Sequence, residues 1–130
     1  MKAFILEGTW TGNLEACYQD RWGVTSTTFR TAMYFKQESM YSGYGYEVDY
    51  DSDNRFARYY FSEFRWTVRD EVIYINYTDS RFGSTRIYDY KLNLATFRGY
   101  MDDGTNRDIY FDLSPSSNFD WSPYINNYYY

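Results

Sequence analysis

Residues 6–14 read LEGTWTGNL and begin the alternating pattern that decides the fold class of this chain. Trp10 and Leu14 share one parity while polar side chains take the other, which is the period of a β-strand with one buried face. The alternation continues well beyond this stretch, so the strand is long, and Gly8 and Gly12 let it bend or admit bulky neighbours. We therefore predict the first strand of a closed or nearly closed β-barrel.

Further stretches with the same alternation bring the strand count to eight, at roughly ten-residue spacing over about residues 8–113. Short turn signals separate them; the clearest is DDGTN at 102–106, because Asp-Gly suits turns that match strand twist. This signature is typical of a barrel or a sandwich, and closure would remove the exposed edges of a tyrosine-rich sheet. The prediction is a single all-β domain over 1–130, an eight-stranded antiparallel up-and-down barrel, with a tail at 114–130 that docks on it through Trp121 and Tyr124.

Strand parity also predicts which side chains face the barrel interior. The cleanest alternation, GYGYEVDYD at 43–51, puts its tyrosines and Val48 inside and its acidic residues outside in solvent. Inward aromatic side chains are the candidate ligand-binding residues, since they suit an apolar or flat ligand. These candidates are Trp10, Tyr18, Tyr44, Tyr46, Trp66, Tyr88, Tyr90 and Phe97.

Composition narrows the class of protein. Aromatic residues make up 25% of the 130-residue chain, with 18 tyrosines, which favours half-buried strands. The net charge of −5 argues against a nucleic-acid partner, which calls for a basic surface. No apolar run reaches the length of a membrane span, and the opening MKAFIL is too short to be the core of an export signal. The lone Cys17 cannot form an internal disulfide.

The triplet Gly8-Thr9-Trp10 resembles the Gly-x-Trp motif of the lipocalin and fatty-acid-binding (calycin) superfamily. In that superfamily the tryptophan closes one end of an eight-stranded barrel, often with an arginine from a late strand across its ring. The resemblance therefore implies a barrel-closing role for Gly8 and Trp10, with Arg98 or Arg107 as the arginine. Such a cation–π contact is worth about 1 kcal/mol.

The sequence also resembles small lipocalin-like lipoproteins of gut Bacteroidetes. The shared features are Asp20-Arg21-Trp22-Gly23 and the terminal Phe111-Asp112-Leu113 with Trp121 and Tyr124. Such proteins are exported and anchored through a lipidated N-terminal cysteine, so the resemblance implies a periplasmic or cell-surface location. Any membrane contact would be through a lipid anchor for which this chain carries no signal.

Catalytic chemistry has little support in the sequence. The chain contains no histidine, which removes His-based nucleophile activation, acid–base catalysis and metal binding. Glu47, Asp49, Asp51 and Asp53 alternate as a solvated strand face rather than as a catalytic pair. The same stretch begins like a calcium loop but lacks the required Gly and Glu at later positions. We therefore predict no catalytic residue, no metal and no cofactor.

Two functions remain open at this point. The first is a non-catalytic, lipocalin-like binding protein of the cell envelope that holds a small hydrophobic or aromatic ligand in its barrel. The alternative is a glycan- or protein-binding β module that uses outward aromatic residues. The candidates for that outer strip are Tyr34, Tyr74, Tyr100 and Tyr110. A barrel filled solidly by its own aromatic side chains would also account for the inward set.

Overall fold

A computed structural model of the protein describes residues 3–51, 59–105 and 107–128; within these, the side chains of 18–20, 25, 51, 127 and 128 are not described. The chain forms a closed barrel of eight antiparallel strands in up-and-down order, with the last strand paired to the first. This confirms the predicted fold class and is consistent with a lipocalin-like fold. The strands are β1 (Gly8–Asp20), β2 (Gly23–Ser39), β3 (Ser42–Asp51), β4 (Tyr59–Arg69), β5 (Val72–Tyr77), β6 (Ser84–Leu92), β7 (Phe97–Asp102) and β8 (Asp108–Pro115).

Two short helical segments flank the strands. A 3-10 turn at Ala3–Ile5 precedes β1, and the helix α1 (Ser122–Tyr128) follows β8. Neither helix that the structure describes is long and apolar enough to cross a membrane.

The turns follow the sequence signals closely. Asp70 and Glu71 link β4 to β5 with φ of 51° and 65°, the left-handed pair that a two-residue type I′ turn requires. From the sequence, residues 20–26 (DRWGVTS) are predicted to connect the first two strands, and this connection is shorter in the structure. Only Arg21 and Trp22 lie between β1 and β2, because both strands continue to the turn.

One half of the barrel interior is filled by aromatic side chains. Phe97 lies at its centre, with ring centroids 5.6 Å from Trp10, 6.1 Å from Phe35 and 4.8 Å from Phe111. The Trp10 indole Nε1 donates a hydrogen bond to the carbonyl oxygen of Leu6 at 2.8 Å. We call this the sealed end of the barrel, since the buried segment before β1 lies across it.

The facing of β3 is the reverse of the prediction. Glu47 is buried at 6% exposure inside the barrel and Asp49 lies on the same face, whereas Tyr46 and its neighbouring tyrosines face outward. The reason is space, because Gly45 pairs with the inward Phe64, whose ring fills the volume a side chain on Gly45 would need. The glycines of the GYGY stretch at 43–46 therefore face inward. Glu47 and Asp49 lie at the same alternate positions of β3, so they face inward as well.

The C-terminal tail covers the outward tyrosines of β3. The Trp121 indole Nε1 donates to Thr9 Oγ1 at 3.1 Å, and its ring lies 5.8 Å from that of Tyr46. Tyr124 stacks on Phe61, with centroids 6.4 Å apart and planes 15° apart. Trp121 and Tyr124 thus pack on the outside of the barrel, where the tail makes a second apolar cluster.

Candidate functional site

An interior cavity lies at the opposite end of the barrel from Trp10. It has a volume of about 160 Å³ and opens into an adjoining space of about 350 Å³ that is also lined by Ala16 and Phe29. Residues 52–58, which connect β3 to β4, lie outside the described residues. The described lining residues are Leu14, Glu47, Asp49, Tyr60, Ser62, Tyr77, Phe82, Thr85, Met101, Asp103, Arg107 and Ile109.

Glu47 is the most enclosed acid of this cavity. The Tyr77 hydroxyl donates a hydrogen bond to Glu47 Oε1 at 2.7 Å. Burial, followed by the charge of Asp49 and a hydrogen bond with it, raises the pKa of Glu47 well above its ordinary value. Burial also raises the pKa of Tyr77 well above that of a free phenol, with the two acids adding to the effect. Burial therefore disfavours the ionised form of both groups.

Asp49 is two residues along the same strand and shares the cavity with Glu47. Burial raises its pKa, while the nearby Glu47 and Thr31 side chains and the positive charge of Arg107 reduce the shift. Its Oδ1 atom is enclosed and has no hydrogen-bond partner among the described residues. Burial therefore disfavours the charged form of both acids, and more strongly that of Glu47.

Arg107 and Asp103 form an ion pair at the edge of the cavity, with Nη2 of Arg107 2.5 Å from Oδ2 of Asp103. Burial by itself would raise the pKa of Asp103, but hydrogen bonds from Thr105 and Arg107 hold it below its ordinary value. The positive charge of Arg107 is therefore matched locally by one carboxylate. The wall on the other side is apolar, formed by Leu14, Met101 and Ile109.

The predicted ligand-binding residues are not the ones that line this cavity. Trp10, Trp66 and Phe97 belong to the packed core, each at 3% exposure or less. Tyr44 and Tyr46 face outward, which corrects their predicted inward position. Their parity was assigned from hydrophobicity alone, and the coverage of the outer face by the tail reverses it.

The remaining predicted positions lie on β6 and β1. Tyr88 is on the outer face at 37% exposure, because a register shift after it, with Asp89 at φ 46°, changes the facing of the strand. Tyr90 follows the shift and packs edge-on against Phe97 as part of the inner core. The side chain of Tyr18 lies outside the described part of the chain.

The residues to which the resemblance assigns barrel closure lie in different parts of the barrel. Gly8 and Trp10 begin β1 at the sealed end. Arg98 is exposed on the outer face of β7, and Arg107 lies at the cavity end. Neither position lies across the Trp10 ring, which contacts Leu6 and Phe97 instead.

Sequence reasoning therefore missed Glu47, Asp49, Tyr77 and Arg107 as a group. One signal was present: Gly43 and Gly45 share the parity of Glu47, and a glycine facing a large aromatic neighbour marks the crowded side of a sheet.

Within the described residues, no group of three or more His, Cys, Asp or Glu side chains could hold a metal ion. The chain matches no protein-family model, no curated protein and no solved structure.

Proposed function

We propose that this protein is a non-catalytic binding protein that takes one small ligand into the interior cavity of its barrel. The observation that carries the proposal is an enclosed polar group, Glu47 with Asp49 and Tyr77, facing an apolar wall inside a closed barrel. Eight-stranded barrels have room for one small ligand when their own side chains leave space. A cavity of about 150 Å³ is large enough for a molecule of the size of benzene.

The polar side of the cavity refines the class of ligand. A purely hydrophobic molecule would leave the Oδ1 atom of Asp49 without a partner among the described residues, and a buried polar atom without a partner destabilises the complex. We therefore propose a ligand with an apolar body and at least one hydrogen-bond donor. The apolar body fits against Leu14, Met101 and Ile109.

The placement of Glu47 and Asp49 favours ligand binding without catalysis. Glycoside hydrolases hold their carboxyl groups about 5 Å or more apart so that a sugar fits between them. Glu47 and Asp49 are instead close enough to share a hydrogen bond. Kinship with lipocalins and a location in the cell envelope remain part of the proposal, supported by the barrel and by the Gly-x-Trp strand.

Filling the cavity is expected to abolish ligand binding. Ser62 is buried and faces the cavity, so Ser62→Met places a longer side chain in the space that a ligand would use. Native mass spectrometry of protein purified from its own host is expected to show a bound small molecule on the wild type, lost on denaturation, and no bound molecule on Ser62→Met. Ser114→Met, on the exposed face of β8, is the matched control and should retain the molecule. A wild type that carries no molecule, or a Ser62→Met protein that carries the same one, would contradict the proposal.

A second candidate function is supported by the outer face of β6, β7 and β8. Tyr88, Tyr100 and Tyr110, which we call the tyrosine ladder, are cross-strand neighbours at 37%, 45% and 38% exposure. The Tyr88 and Tyr100 rings stack at 5.9 Å with 27° between their planes. The Tyr100 and Tyr110 rings, 5.6 Å apart, meet edge to face at 65°. Exposed aromatic rings can stack against sugar rings, so glycan binding is the alternative proposal. Tyr34 and Tyr74, predicted for the same strip, contact Tyr46 and Arg69 instead.

Truncation of the central ring of the ladder tests the glycan alternative. If glycans bind there, Tyr100→Ala is expected to reduce affinity for a soluble oligosaccharide by about tenfold, the loss of one stacking contact. The measurement is a titration of a hit from a glycan array against wild type and variant. Tyr41→Ala, an exposed tyrosine outside the ladder, is the control. Equal affinities for the two variants would exclude the ladder as the glycan site.

A further inference from the structure

The acidic groups that the described residues place around the interior cavity outnumber the basic ones. Arg107 is paired with Asp103, and its charge also acts on Asp49. Asp49 itself forms no ion pair within the described residues, and its buried Oδ1 atom has no hydrogen-bond partner among them. An enclosed polar atom of this kind is stable only when a positive or hydrogen-bonding partner meets it.

We propose that the ligand of the interior cavity is a small organic cation, a primary ammonium carried on an apolar or aromatic body, with Asp49 as its counter-ion. The proposal rests on the proposed function and names the class of ligand for that same site. It is carried by the position of Asp49 on the cavity lining and by its enclosed Oδ1 atom, for which the described residues supply no hydrogen bond.

The chemistry of the ammonium matches the acceptors that the cavity offers. An ammonium has three donors and no acceptor, and an ionised carboxylate has only acceptors. Ser62 and Thr85 line the same cavity with hydroxyl oxygens that can accept from the remaining N–H groups. A charge-assisted hydrogen bond of this kind is roughly twice as strong as a neutral one.

Other classes of ligand fit less well. An anion would meet Asp49 and Asp103, and the guanidinium that the described residues place at the site already binds a carboxylate. A metal ion needs more anionic ligands than the described residues bring together here. In the part of the chain that the structure describes, the titratable and charged groups lining the cavity with Asp49 are Glu47 from its own strand, Tyr60 from β4, Tyr77 from β5, and Asp103 and Arg107 from the β7–β8 connection.

Three probes of nearly equal size separate the effect of charge from the effect of shape. Benzylamine is a cation, benzyl alcohol is neutral and benzoate is an anion, and each is a benzene ring with one polar group. By isothermal titration calorimetry near pH 7.5, we expect wild type to bind benzylamine at least about tenfold more tightly than benzyl alcohol, and benzoate more weakly still. Tenfold corresponds to about 1.4 kcal/mol, within the range of one hydrogen bond to a charged group.

Matched variants assign the effect to one residue. Asp49→Asn is expected to reduce the preference for benzylamine over benzyl alcohol to less than about threefold. Asp112→Asn removes a carboxylate from the exposed face of β8 and should leave the preference unchanged.

The possible outcomes distinguish this inference from the function on which it rests. Equal binding of benzylamine and benzyl alcohol, lost in Ser62→Met, would overturn the cation and leave the binding cavity standing. A benzylamine preference that survives Asp49→Asn would overturn Asp49 as the counter-ion. No binding of any probe, together with a wild type that carries no molecule from its host, would overturn both proposals.

Discussion

Gly45→Ala is expected to destabilise the barrel by about 3 kcal/mol or more, the upper range for adding a group to a packed interior. A Cβ atom at this position would lie 1.9 Å from the carbonyl oxygen of Tyr34 and 2.6 Å from the Phe64 ring. The first contact is with backbone, so a change of side-chain rotamer cannot relieve it. The measurement is the free energy of unfolding by urea denaturation.

Gly104→Ala is the matched control for this substitution. A Cβ atom there meets nothing within 4 Å, although the residue has a φ of 84°. The cost should therefore be only the strain of the left-handed conformation, about 1–2 kcal/mol. Equal losses at the two positions would show that crowding inside the barrel is not what fixes glycine at position 45.

Glu47→Gln is expected to stabilise the protein near pH 7, because it removes a carboxyl group whose ionisation is disfavoured in the folded state. The folded-state pKa of Glu47 is raised above its unfolded value, so folded protein binds more protons than unfolded protein between the two pKa values. Wild-type stability should then fall as pH rises above about 4.5, toward the folded pKa. Glutamine keeps an acceptor for the Tyr77 hydroxyl and removes the charge that has to be formed in a buried site.

The pH dependence of the difference is the decisive readout. Unfolding free energies of the two proteins should converge near pH 4, where both side chains are neutral, and separate progressively toward pH 7. Glu15→Gln removes an exposed glutamate from the outer face of β1 and should change stability by less than about 0.5 kcal/mol. A Glu47→Gln protein that is less stable than wild type at every pH would mean that the ionised form of Glu47 is stabilised in the folded state.

The fold was predictable because its determinants are local. Two-residue alternation marks the strands, and turn residues such as Asp102–Gly104 mark their ends, so strand number and order follow from neighbouring residues. The inward facing of Trp10 on β1 and of Trp66 on β4 was also predicted correctly, since the parity that carries each is largely apolar.

The candidate site was much less predictable, and β3 shows why. One face of β3 carries tyrosines, and the other carries glycines and acidic residues. Hydrophobicity alone would place the tyrosines inside the barrel. Tyr46 faces outward because the distant Trp121 covers it there, 75 positions along the chain, and that contact is invisible to a local pattern. The same reversal carries Glu47 and Asp49 into the barrel.

By itself, the sequence determined that this protein is a closed all-β barrel with a tryptophan near the start of its first strand, because alternation and turn chemistry act between near neighbours. Only the tertiary structure decided that the barrel is solid at the Trp10 end and hollow and acidic at the other. That outcome depends on how Phe64 fills the space above Gly45 and on where the C-terminal tail packs against the barrel. Both are matters of volume between residues far apart in the chain, which no short stretch of sequence encodes.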